Sequence, residues 1–177
     1  IDIDDPEFES MMFGNNVKVL LQDMDLIKWK QDLLADKDKL ETILLEAINV
    51  TPDRDAKLIE LRTLIENKIN NPINPDNKKV IVFTAFADTA RYLYKHLSEE
   101  FAGKGIYSAI VTGSGDNHST LPIPKELRKS VKITDINTVL TLFSPISKEC
   151  SKIFPEVNEY IDVLIATDCI SEGQNLQ

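Results

Sequence analysis

Cysteine and histidine are scarce in this chain, with two of each among 177 residues. Cys150 and Cys169 stand apart, with no Cys-x-x-Cys pair and no histidine at ligand spacing. His96 and His118 have no cysteine or carboxylate cluster near them in the sequence. This pattern argues against a structural metal and reads as two buried thiols. No apolar run approaches the ~20 residues that a membrane span requires. The opening residues carry no signal-peptide pattern, so the expectation is a cytoplasmic chain with no membrane partner.

Motifs are missing too. There is no Gly-x-x-x-x-Gly-Lys-Ser/Thr loop to cradle a triphosphate, and no Gly-x-Gly-x-x-Gly turn after a strand. A Gly-x-Ser-x-Gly nucleophile elbow and a Ser/His/Asp set are also absent. Asp168 and Glu172 lie four apart, which by itself is weak support for acid–base work.

What remains is an ordinary globular composition, 42% hydrophobic and 28% charged, large enough to bury a core. The net charge of −9 is unevenly spread. Residues 1–78 hold 10 basic and 17 acidic residues, whereas residues 79–177 hold 10 and 12. So acidic a chain argues against a dedicated nonspecific nucleic-acid binder, but leaves room for local contacts on the balanced half. The first residue, Ile1 rather than Met, points to a shortened or processed chain.

Residues 1–77 read as a helical connector. An acidic lead-in over 1–15 precedes apolar residues at helical spacing in two stretches, 17–34 and 37–48. The second stretch has Leu40, Ile43, Leu44 and Ala47 on one face. A third helix is signalled by Thr51 as cap and Pro52 at the first position, with Leu58, Leu61, Leu64, Ile65 and Ile69 as its buried stripe. "NNPINPDN" closes this region as a linker.

The pattern changes at residue 78, where a second domain, 78–177, begins. "VIVFTAF" is a continuous apolar, β-branched run of the kind that forms a parallel strand covered on both faces. A helix follows through Ala90, Leu93, Tyr94 and Leu97, then a second strand, "IYSAIVTG", and later a third, "DVLIAT". Between the last two, "GSGDNHST" reads as a polar loop and "IPKELRKSVK" as a basic helix. "DINTVLTLF" and "SPISKECSKIF" read as further helical pieces. The fold class is α/β with a parallel sheet.

The three strands end at Thr84, Thr112 and Thr167, followed by Ala85, Gly113 and Asp168. Ligands of open α/β sheets bind outside the carboxyl ends of the strands, where helix N-termini favour phosphate. A phosphate-lined cleft fits this arrangement. Threonine also suits a strand end for packing reasons alone, and both readings stand.

Three stretches carry a resemblance: "KKVIVFTAFADTARYLYKHL", "VTGSGDN" and "VLIATDCISEGQNLQ". In this order they resemble successive motifs of the second RecA-like domain of superfamily 2 helicases. The closing "SEGQNLQ" is most similar to the bacterial branch related to Swi/Snf-type DNA-dependent ATPases. "FSP" at 143–145 also stands where such domains place a Phe. The resemblance covers roughly residues 78–177 and implies a RecA-like domain lacking its own P-loop, with an N-terminal helical extension.

The same resemblance implies a mechanism in which two RecA-like domains close on ATP and Mg²⁺ while DNA lies across both. It places Thr167 on a nucleic-acid phosphate, with Thr84, Thr112 and Gly113 on the same edge. Asp168 braces the loop or relays closure. Gly173 allows close backbone approach, and Glu172 and Asn175 face the interdomain cleft. Glu172 is equally readable as a solvated helix-start carboxylate, and Phe86 reads as core packing in preference to a nucleic-acid contact.

Two features depart from the family's pattern. Arg128 is the only arginine in the long 114–132 insertion and takes no assigned role. "KELRKSVK", with four basic residues in eight, reads as a solvated face before it reads as a DNA track. The arginine-finger motif falls beyond Gln177, so the domain is expected to be truncated at its C-terminus.

The reading is therefore a fragment of a DNA-dependent ATPase that couples hydrolysis to translocation or remodelling on DNA. Its partners are DNA and the first RecA-like domain of the same chain. It has no catalytic residue and no metal ligand of its own, and is inactive alone. The alternative is a non-catalytic α/β module that docks a protein through its acidic helices. A small Rossmann-type enzyme is disfavoured by the lack of a Gly-rich first turn.

Overall fold

A computed structural model describes residues 12–15, 17–75, 77–113, 115 and 117–170. They belong to two compact units, Ile1–Arg54 and Asp55–Gln177.

In the first unit, β1 (Met12–Phe13) and β2 (Val19–Leu20) form an antiparallel pair, followed by a 3-10 turn at Leu21–Asp23. Gly14 turns the chain between them at φ +115°, and a Cβ there would run into the Val17 carbonyl. Only glycine fits this position without strain. The reversal occupies residues expected to open a helix, so helix starts only at Leu26. From there α1 (Leu26–Ile48) runs as one helix of 23 residues rather than the two expected over 17–34 and 37–48. No glycine or proline interrupts this span, so nothing ends the first stretch. Asp25 caps it, accepting from the Lys28 N–H at 2.9 Å. No residue of α1 is buried, and Leu40, Ile43 and Leu44 are all exposed.

The second unit opens with α2 (Ala56–Asn70), so the third helix of the sequence belongs with the sheet. Its cap is Asp55 rather than Thr51, because residues 52–54 form a turn. The Asp55 carboxylate accepts from the N–H groups of Lys57 and Leu58 at 3.0 and 3.1 Å. It also accepts from the Tyr92 hydroxyl at 3.0 Å, tying α2 to α3 (Ala87–Gly103). Leu58, Ile65 and Ile69 are buried, but Leu64 is 56% exposed: it lies one residue off the stripe that faces the sheet.

Four strands make the sheet: β3 (Val80–Phe83), β4 (Ser108–Val111), β5 (His118–Ser119) and β6 (Val163–Ala166). Their order is β3-β6-β4-β5, with β3, β6 and β4 parallel and β5 antiparallel to β4. The polar loop expected after Gly113 thus contributes a short fourth strand. Alternate side chains point to opposite faces. Ile110, Val163 and Ile165 pack with α2 and α3 on one face. Ala109, Val111, Leu164 and Ala166 pack on the other face with α4 (Ile136–Phe143) and the short α5 (Cys150–Ile153).

Two further expectations are corrected here. The run "VIVFTAF" was expected to be covered on both faces, yet β3 is an edge strand with Ile81 36% and Phe83 54% exposed. Among the described residues, the layer containing α4 covers β6 and β4 and leaves these two side chains open. The basic helix expected over "IPKELRKSVK" is only a 3-10 turn at Lys125–Leu127. Pro122 and Pro124 hold the preceding backbone extended, and a loop follows directly. Cys150 is fully buried, and burial pushes its thiol pKa up. No described helix is long and apolar enough to cross a membrane.

Candidate functional site at the carboxyl edge of the sheet

The register of the sheet brings the three threonines side by side. Phe83 and Val111 both pair with Ala166, so Thr84, Thr167 and Thr112 follow as the next row across β3, β6 and β4. Backbone bonds continue into that row: the Thr84 N–H donates to the Ala166 carbonyl at 3.0 Å, and the Thr167 N–H to Val111 at 3.2 Å. The row is thus rigidly placed by the ladder of the central strand.

Their surroundings differ. Thr112 and Thr167 are buried, while Thr84 is half-buried. The Thr84 hydroxyl accepts from the Phe86 N–H at 3.3 Å, bending the chain from β3 into α3. Phe86 holds the N-cap position of α3 and is 72% exposed, which overturns its core-packing reading. At the sheet edge the described residues provide no second layer for its ring to enter. The first turn of α3 carries Asp88, paired with Arg91 at 2.9 Å.

Gly113 is exposed and follows Thr112 into a turn closed by the Gly115 N–H on the Thr112 carbonyl at 3.1 Å. Asp168 is exposed and opens a 3-10 turn, Asp168–Ile170. The structure therefore brings Thr84, Thr112, Gly113, Thr167 and Asp168 to one edge. Glu172, Gly173 and Asn175 lie outside the described residues.

The chemistry of this edge is that of contact. It offers exposed backbone and the start of a long helix, which can meet phosphate, beside two carboxylates, Asp88 and Asp168, which suit a donor instead. Among the described residues, no group of three His, Cys, Asp or Glu side chains is placed to hold a metal ion.

A second feature was missed in the sequence. A cavity of about 610 Å³ lies at the opposite end of the strands, lined by the residues that precede them. Lys79 precedes β3, Tyr107 precedes β4 and Asp162 precedes β6. Phe143, Ser144 and Tyr160 are among the other residues of its wall. The Lys79 ammonium donates to the Ile161 carbonyl and lies 3.6 Å from the Asp162 carboxylate. Burial lowers the Lys79 pKa, and Asp162 opposes that shift. The one signal available in sequence was a lysine and an aspartate, each directly before an apolar strand.

Comparisons with protein-family models, with curated proteins and with solved structures found no match for this chain.

Proposed function

We propose that the sheet unit acts as the second RecA-like domain of a Swi/Snf-related, superfamily 2 DNA-dependent ATPase, contributing DNA contacts and cleft closure. The observation that carries this reading is the aligned row Thr84, Thr167, Thr112 at the ends of three parallel strands. Each of the three resembling stretches contains one of these threonines. Gly113 and Asp168 stand exposed beside it, suited to a phosphate backbone and to a facing domain.

The residues of this chain do not match the chemistry that holds ATP and Mg²⁺. No Gly-rich loop with its Lys and hydroxyl is encoded, and no hydrolysis step is derived from these side chains. The nucleotide falls to the facing domain. Alone, with ATP, Mg²⁺ and DNA, the chain is expected to show no turnover above buffer.

A second reading is favoured by α1. It buries none of its 23 residues and leaves Leu33, Leu34, Leu40, Ile43, Leu44 and Ile48 exposed, as a helix that docks a protein would. Amide-shift mapping with a short DNA duplex separates the two. Shifts at Thr84, Thr112, Gly113, Thr167 and Asp168 that fade with added salt are expected from the ATPase reading. An unperturbed strand edge at saturating duplex would remove it and leave the docking module.

A further inference from the structure

The cavity at the N-terminal end of the strands lies outside the proposed DNA edge and has the composition of a ligand site. Its volume of about 610 Å³ falls within the roughly 300–1,000 Å³ of small-molecule pockets. Its wall combines two half-buried tyrosine rings, Tyr107 and Tyr160, backed by the buried Phe143, with a few convergent polar groups. The Lys79 ammonium sits 5.8 Å from the ring centres of both Phe143 and Tyr160. That approach marks a cation set among π faces.

Hydrogen-bond accounting indicates what is wanted. The half-buried carboxylate is engaged: Asp162 faces Lys79 through one oxygen and accepts from the Tyr107 N–H at 3.3 Å through the other. Glu159 accepts from the Tyr107 hydroxyl at 3.3 Å. The donors are in surplus. An ammonium has three, and Lys79 directs them at one carbonyl and one carboxylate. Ser144 forms part of the wall, and its enclosed hydroxyl has no partner among the described residues. Lys78 and Lys79 balance Glu159 and Asp162, so the cavity does not demand a highly charged ligand.

We propose that this cavity binds a small planar aromatic molecule bearing a hydrogen-bond acceptor, its ring against the half-buried Tyr107 and Tyr160 and its acceptor on Lys79. Rings stack on rings, and the under-bonded ammonium, held back by burial, gains the acceptor it lacks. Ile146, 91% exposed at the mouth, extends the apolar rim.

Fluorine NMR on the 177-residue chain tests this with three probes: para-fluorobenzoate, para-fluorobenzamide and para-fluorobenzylamine. Broadening of either acceptor-bearing probe is expected, with none for the amine. The relative strength of benzoate and benzamide tells whether the acceptor is anionic or neutral. Lys79→Met should weaken the bound probe about fivefold or more, the loss of one charge-assisted hydrogen bond. Because that change strands Asp162, Lys79→Met/Asp162→Asn serves as the second variant, with thermal melting to verify the fold. Equal binding of the amine, no binding of either acceptor probe at millimolar concentration, or unchanged affinity in the folded double variant would overturn the proposal.

Discussion

Strands β3 and β6 are hydrogen-bonded neighbours, each four apolar residues long, yet they live in different surroundings. Every side chain of β6 is buried, whereas β3 alternates between partial burial and exposure. The difference is one of position. β6 has a strand on each side and a layer on each face; β3 has a strand on one side and a layer on one face. An apolar run thus specifies a strand but not its place in the sheet.

The comparison can be broken by matched truncations. Ile165→Ala in β6 removes a side chain enclosed with α2 and α3, and should cost about 3 kcal/mol in denaturant unfolding. A loss below about 1 kcal/mol would mean that the central strand is no better packed than the edge.

A smaller effect is expected at alkaline pH. Tyr94 on α3 packs in the same layer as Ile165, and burial raises its pKa to about 12. The unfolded chain releases this proton near the ordinary tyrosine value, about 10, while the folded chain retains it. Its contribution is therefore intact below about pH 10 and is lost as pH rises toward the folded value. Melting temperature followed from pH 9 to 12 should fall less steeply in Tyr94→Phe than in the parent chain. Parallel curves would show that the α3 layer does not shield the hydroxyl.

The smallest effect belongs to β3. Phe83→Thr trades an exposed ring for a β-branched polar residue on the open face and should change stability by about 0.5 kcal/mol or less. A loss approaching that of Ile165→Ala would show that something covers this face.

How far these features were legible follows from what each depends on. The three parallel strands were readable because β-branched runs such as "VLIA" declare themselves locally. So were the strand-end threonines, which sit one position beyond each run. Strand order was not readable, since no local signal says that β6 inserts between β3 and β4. The cap of α2 was misplaced because Thr51-Pro52 and Asp55 are both good start signals, and packing of Leu58 decided between them. The Lys79 cavity was hidden for a related reason: its wall comes from segments far apart in the chain, each unremarkable alone.

The insertion of β6 between β3 and β4 also sets the order in which the sheet can assemble. Val80 meets its partner only at Val163, 83 positions later, and Ser108 waits for the same residue. Until that segment leaves the ribosome, the two outer parallel strands have no template between them and expose their unpaired backbone edges. Such non-local pairing slows folding and lengthens the window for aggregation. Synthesis of β6 is therefore the event that lets the described parallel strands pair.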